Sequence, residues 1–229
     1  MNNIITIKWG TKYGPEYPNR LYEECKQKCS FHFNFYCVTD NPEGLNEDII
    51  SLEMPKHSNL NYNDYIEDHL NYKTQMWDRP KLYLFSDFDF RGTNIFLDLD
   101  SVINEDISYL TTLPNDKPWC IDMWWKVGYK ENWDKLWGTR ANTSVMVWKN
   151  DQCKEITERI LSNPELFDKY ATIDCFIGYE MLDYENYQKS FFNFIPPFVY
   201  ILGKEYQAGY KISLFSNSKM GRHTDEPGI

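Results

Sequence analysis

The sequence has no CxxC pair, no excess of basic residues and no long apolar run, and each absence removes a class of function. Its 6 cysteines, at positions 25, 29, 37, 120, 153 and 175, are scattered, with only His32 near any of them. That spacing excludes the usual structural zinc sites. Cys25 and Cys29 lie one helical turn apart and can both point inward; free, buried thiols in a reducing compartment are the expected state. Lys and Arg number 24 against 34 Asp and Glu, a net charge of −10. Nucleic-acid phosphates call for the opposite balance, so nucleic acid is not the expected partner. No stretch approaches the ~20 apolar residues of a membrane span. Met1-Asn2-Asn3 leads directly into Ile4-Ile5-Thr6-Ile7 without a leader-like segment, and a cytoplasmic protein is expected. Repeats and low-complexity stretches are also missing.

What is present is aromatic area. Phe, Trp and Tyr make up 17% of the 229 residues, with 8 Trp and 17 Tyr. Such rings fill cores, and they also make walls for a nucleobase or a sugar. The length suits one α/β domain with a substantial core.

Residues 4–9 are rich in β-branched side chains and read as a first strand, ended by Gly10. Pro18-Asn19 predicts a helix start, with Leu21, Cys25 and Cys29 on one face. Residues 33–38 read as a second strand, stopped by the turn formers Thr39-Asp40-Asn41-Pro42-Glu43-Gly44, and 49–52 as a third. This β-α-β order favours a sheet with parallel members. Residues 53–78 are polar and tyrosine-rich and read as a long surface excursion. Pro80 opens a short helix over 80–85. Further strands are expected at 95–97, 119–123, 143–148 and 211–215, and helices at 151–162, with Ile156 and Ile160 on one side, and at 173–182. Residues 191–202 are apolar and broken by Pro196-Pro197.

The strongest chemical signal is Asp98-Leu99-Asp100, two carboxylates at i and i+2 immediately after the apolar Ile95-Phe96-Leu97. Ligands of open α/β sheets bind beyond the carboxyl ends of the strands. Two like charges held close there are tolerable when a cation sits between them. Mn²⁺ or Mg²⁺ takes oxygen ligands and leaves positions for phosphate oxygens, which also lets an acidic protein accept a diphosphate. Alternatively the two carboxylates cap the turn that follows. The same string fits a haloacid-dehalogenase-type phosphatase, with Asp98 as nucleophile and Asp100 as general acid. That fold usually carries the motif in its first strand, whereas more than ninety residues precede it here.

Taken in order along the chain, these segments resemble the GT-A glycosyltransferases of the glycogenin-like and viral or phage type. Lys8-Trp9-Gly10-Thr11-Lys12-Tyr13 through Tyr17-Pro18-Asn19-Arg20-Leu21-Tyr22 is similar to their opening strand and base-receiving loop. Phe35 through Asp40 to Gly44 looks like their second strand and acidic turn, and Lys81-Leu82-Tyr83-Leu84-Phe85 like the short helix before the metal strand. Phe96 to Val102 resembles their DxD element, Asn142-Thr143-Ser144-Val145-Met146 their acceptor-side strand, and Ile173-Asp174 their Asp-Gln segment. The resemblance implies one domain over 1–229 with a Rossmann-like, mixed but mainly parallel central sheet flanked by helices. Residues 1–100 would form the nucleotide-sugar half, 101–215 the acceptor half and 216–229 a tail.

It also implies roles. Asp98, Asp100 and, in place of the family's C-terminal His, His223 (or Asn217) would hold Mn²⁺ or Mg²⁺, with Leu99 inside the element. Trp9 and Tyr13 would contact the nucleobase, or pack against neighbouring loops; Asp40 would bind base or ribose, or cap its turn. Lys81 would hold a phosphate, or lie on a solvated helix face. Lys219 and Arg222 would close a flap, with Arg79 a further cation. Trp124, Trp125, Asn142 and Ser144 would line the acceptor side, either tryptophan being equally suited to a core. Asp174 would meet the acceptor or the transferred sugar, or cap a helix. Ser144 stands near a usual Gly, and Cys175 replaces a usual Gln. The implied activity is hexosyl-like transfer from a nucleotide-sugar, UDP-linked, to a glycan or other hydroxyl. A non-catalytic carbohydrate-binding relative is the remaining alternative.

Overall fold

Residues 1–55, 78–122, 139–170, 172–183, 186, 188–196, 199–201 and 209–214 are described by the computed structural model. Strand β1 (Asn2–Lys8) is followed by helix α1 (Glu16–Lys28), β2 (Asn34–Thr39) and β3 (Ile50–Glu53). A 3-10 turn, Arg79–Leu82, runs into α2 (Tyr83–Ser86) and then β4 (Thr93–Leu97). There follow β5 (Val102–Ile103), β6 (Trp119–Asp122), β7 (Ala141–Lys149), α3 (Lys154–Ser162), α4 (Leu166–Lys169), α5 (Ile173–Phe176), β8 (Asn193–Phe194), β9 (Val199–Ile201) and β10 (Ile212–Leu214).

Seven strands make one sheet in the order β3-β2-β1-β4-β7-β6-β8. The first four are parallel, β7 runs against both β4 and β6, and β8 is parallel to β6. A second, three-stranded sheet has the order β5-β10-β9. The period-2 alternation of a strand buried on both faces is visible in the core. Ile5, Ile7, Phe96, Met146 and Trp148 point to one face, where α2, α3 and α5 cover them. Ile4, Ile95, Leu97, Val145 and Val147 point to the other, under Leu21 and Cys25 of α1 and under Ile212 and Leu214 of the small sheet. Burying both faces supplies most of the driving force, at roughly 25 cal/mol per Å² of apolar surface.

Helix α1 begins two residues before the expected Pro18. Pro18 sits buried in the first turn, where a missing N–H breaks no helical bond. The segment 173–182 is not one α-helix: after Phe176 it widens into a π-helix over Ile177–Met181. Of the surface excursion read from the sequence, residues 56–77 lie outside the described residues. All 6 cysteines are free, five of them buried and Cys29 partly so. No helix among the described residues is long and apolar enough to cross a membrane.

The strand directions decide what meets at the edge. The carboxyl ends of β1, β2 and β4 share one side of the sheet. Because β7 is antiparallel and pairs Leu97 with Val145, its opening residues 141–144 come to that same side.

Candidate active site

The Asp98-Leu99-Asp100 turn stands where β4 leaves the sheet. Thr6 Oγ1 donates to Leu97 O at 2.9 Å, and Asp98 N–H donates to Ser144 O at 2.9 Å. Ser101 N–H closes the turn on Asp98 O at 3.0 Å. Leu99 is buried as an apolar anchor between the two carboxylates. Its carbonyl is taken by Arg20 at 2.8 Å, so Leu99 serves the turn from inside and its side chain offers nothing to a donor. The Asp100 carboxyl is pushed up to about 7, first by burial and then by the charge of Asp98, with Lys12 and Lys81 opposing. A strand-end carboxylate destabilised by its neighbour's charge fits a site for a divalent cation, which would relieve both. Asp98 and Asp100 are the residues that would hold it. Among the described residues no cluster of three His, Cys, Asp or Glu completes a ligand set.

Lys81 faces that turn. Pro80 is the second residue of the 3-10 segment, and the lysine stem runs inward past the Phe96 ring, Nζ lying 5.2 Å from its centroid. Nζ lies 2.9 Å from Asp98 Oδ1, 3.2 Å from Asp98 Oδ2 and 3.3 Å from Thr143 Oγ1. Its side chain is 9% exposed, which overturns the solvated-face alternative: every residue of 79–85 is buried, the cation included. Burial alone would lower the Lys81 pKa, but the carboxylates of Asp98, Asp78 and Asp174 outweigh it and hold the ammonium charged.

Asp174 lies in the first turn of α5, yet it caps no helix. Thr172 does that, its Oγ1 accepting Cys175 N–H at 3.1 Å. Asp174 instead crosses to β7, where Oδ1 accepts Thr143 N–H at 2.8 Å and Thr143 Oγ1–H at 2.6 Å. Its Oδ2 is 3.5 Å from Asn142 Nδ2. Asn142 Oδ1 in turn accepts Ser144 N–H at 3.0 Å. The sequence therefore names Asn142, Ser144 and Asp174 as a group, and the structure brings them together. Ser144 contributes through its main chain.

Three residues of this neighbourhood escaped the sequence reading. Asp78, 3% exposed, accepts Ile173 N–H through Oδ1 at 2.8 Å. Its carboxyl is pushed up to about 7, first by burial and further by Asp174 and Asp98, with Lys81 opposing. A carboxylate just before Pro80 signals a local helix cap; that it braces α5, 95 positions away, has no local signature. Lys12 Nζ lies 2.6 Å from Tyr13 OH and its charge acts on Asp100. Arg20 holds the turn from behind.

At the mouth, Asp40 Oδ2 accepts Gly10 N–H at 2.9 Å, with Gly10 at a φ of 64° that suits glycine. The turn after β2 is capped by Thr39 Oγ1 and Asn41 Oδ1 instead, so Asp40 braces the β1 loop and does not cap its own turn. Its Oδ1 is buried with no hydrogen-bond partner, an acceptor left over at the expected base pocket. Tyr13 packs edge-on against Tyr17, centroids 4.7 Å apart. Trp9 is half-buried against the inner core cluster, which favours the packing alternative for it. Arg79 is buried. Trp124, Trp125, Asn217, Lys219, Arg222 and His223 lie outside the described residues.

No protein-family model matches the sequence, and no curated protein matches it. Solved structures do resemble the fold. An active-site mutant of LgtC aligns with TM-score 0.60 at 11% identity, over 93% of this chain and 86% of that one. The galactosyltransferase LgtC in complex with donor and acceptor sugar analogs aligns with TM-score 0.56 at 12% identity, over the same shares. Mouse xyloside xylosyltransferase 1, in its apo form, aligns with TM-score 0.52 at 10% identity, over 93% of this chain and 97% of that one. With its mixed, mostly parallel seven-stranded sheet flanked by helices, the chain has the GT-A fold of these glycosyltransferases.

Proposed function

We propose that the chain is a glycosyltransferase that moves a sugar from a nucleoside-diphosphate donor, UDP-linked, to a hydroxyl acceptor such as a glycan. The observation that carries this reading is the juxtaposition of the Asp98–Asp100 turn with Lys81, 2.9 Å from Asp98, and with Asp174 just beyond Thr143. Glycosyl transfer breaks the anomeric C–O bond, and the electron pair leaves on the diphosphate. A divalent ion on Asp98 and Asp100, Mn²⁺ or Mg²⁺, would stabilise that charge as it develops.

Lys81 brings a permanent positive charge to the same edge. Burial holds it in one place, so its field needs no reorganisation during the reaction. Asp174 has Oδ1 fixed by two hydrogen bonds, which leaves Oδ2 toward the acceptor side. In an inverting reaction Oδ2 takes the acceptor hydroxyl proton as the new C–O bond forms; in a retaining one it faces the transferred sugar. Asp40 Oδ1, buried without a hydrogen-bond partner, suits a donor on the nucleobase or ribose.

Phosphatase chemistry at Asp98 is less well supported, because both its oxygens face Lys81 and three strands precede its own among the described residues. The test is to incubate the protein with a panel of nucleotide-sugars and Mn²⁺ and to quantify released nucleoside diphosphate. Release from a UDP-sugar that chelation abolishes is expected, with Asp98→Ala and Asp100→Ala each lowering it about 10²–10³-fold. Full release by both variants, or phosphate liberated from phosphomonoesters in its place, overturns the reading.

A further inference from the structure

Helix α1 carries ionic side chains at i, i+4 and i+8 on one stripe, and all three reach residues 99–103. One guanidinium nitrogen of Arg20 donates to Leu99 O at 2.8 Å and to Ser101 O at 3.0 Å, so it holds the carbonyls on both sides of Asp100. The other terminal nitrogen pairs with Glu24 Oε1 at 2.8 Å. Glu24 Oε2 accepts Ile103 N–H at 2.8 Å, and Lys28 donates to Ile103 O. The Arg20 and Glu24 side chains are 14% and 18% exposed.

Stability alone explains this poorly. Removing two charges from water costs about as much as their pairing returns, and an apolar pair at such positions is often as stable or more so. Leu21 and Cys25, next along the helix, already pack in the core cluster, so an apolar stripe here would have extended it. Arg20 Nε is moreover buried without a hydrogen-bond partner, a penalty a purely structural device need not carry. What the arrangement does provide is local. With the Leu99 and Ser101 carbonyls tied to one nitrogen and Ser101 N–H on Asp98 O, the main chain on both sides of Asp100 is held against the repulsion between Asp100 and Asp98. The main chain that carries the two carboxylates is thereby kept from yielding to that repulsion.

We infer that Arg20, aligned by Glu24, is a positioning residue for the turn, fixing Asp100 so that the two carboxylates present a single divalent-cation site. The inference rests on the reading of that turn as a metal site. Neither residue touches the ion; both act through the main chain, as partners behind metal ligands commonly do.

The experiment is direct Mn²⁺ binding to the nucleotide-free full chain, read as the loss of the free-ion signal in electron paramagnetic resonance, with thermal midpoints recorded without metal. Arg20→Met weakens Mn²⁺ binding about 10–100-fold, Arg20→Lys recovers part of it, and Glu24→Gln, which leaves one acceptor oxygen for the two donors Arg20 and Ile103 N–H, gives a smaller loss in the same direction. A folded Arg20→Met that binds Mn²⁺ as tightly as the wild type overturns the inference. Should Arg20→Met not fold, wild-type affinity in both Arg20→Lys and Glu24→Gln overturns it equally. A wild-type protein that binds no Mn²⁺, or one whose binding survives Asp98→Ala and Asp100→Ala, removes the metal-site reading itself and the inference with it.

Discussion

Four carboxylates surround Lys81, and they fall into two unlike pairs. Asp78 and Asp174 each accept a main-chain N–H at 2.8 Å from an element far away in sequence, Ile173 and Thr143 respectively. They tie the 3-10 turn to α5, and α5 to β7. Asp98 and Asp100 sit on a turn whose main chain is fixed from behind, while their carboxylates answer to the charges of Lys81 and Lys12 and to each other's. One pair is committed to assembling the edge of the sheet. The other keeps acceptor capacity for an outside cation.

The sharpest way to break this contrast is to remove one member of the second pair. Asp100→Ala lowers sugar transfer about 10²–10³-fold in initial-rate assays at saturating Mn²⁺, yet leaves the denaturant midpoint unchanged or higher, since a like-charge repulsion is relieved. Lys81→Met acts on both pairs at once. It leaves all four carboxylates without their common cation and destabilises the fold by about 3 kcal/mol or less, the lower end for breaking a buried pair, because the Asp98 side chain is 24% exposed. Urea unfolding measures this, and Lys81→Arg recovers part.

Thr143→Val removes the hydroxyl that fixes Asp174. It costs about 1–3 kcal/mol and lowers kcat more than it raises KM, since Asp174 Oδ1 is left with the Thr143 N–H alone, while Lys81 loses its Thr143 oxygen but keeps both oxygens of Asp98.

Asp78→Asn tests the committed pair through pH. The Asp78 carboxyl is at about 7 in the fold against 3.8 for an ordinary one, so the native state binds the proton more tightly than the unfolded chain. Its stabilising contribution is complete below about pH 4 and is lost as pH rises through 7. Asp100 contributes with the same sign. Unfolding free energies at pH 4.5, 6 and 7.5, taken without metal, therefore fall with pH in the wild type and fall less in Asp78→Asn. The smallest expected effect is at the mouth: Tyr13→Ala weakens nucleotide-sugar binding about tenfold or less, with metal binding untouched.

The parts of the site legible in the sequence are those whose signal is local. An apolar run ending in Asp98-Leu99-Asp100 announces a buried strand that delivers two carboxylates to an edge, and Pro80 announces the short helix that carries Lys81. The β-α-β order of residues 2–53 follows from period and turn chemistry. The contrast between the pairs had no such signal. Nothing in residues 141–149 says that they run antiparallel to β4, and without that direction Thr143 does not meet Asp174. Arg20 reads as one more surface cation on a helix until its bonds to Leu99 and Ser101, 79 and 81 positions on, are seen. Proline at 18 marks the first turn of α1 but does not say which residue of that turn it is, hence the start at Glu16.

The central claim is that Asp98 and Asp100 together bind a divalent ion which a nucleoside diphosphate then shares. Calorimetric titration of UDP into the wild type and into the Asp98→Asn, Asp100→Asn double variant, each with and without Mn²⁺, tests it most directly. UDP binding by the wild type only in the presence of Mn²⁺, and its loss in the double variant, is the predicted result. Equal UDP affinity without the metal, or Mn²⁺-dependent binding that survives in the double variant, would contradict it.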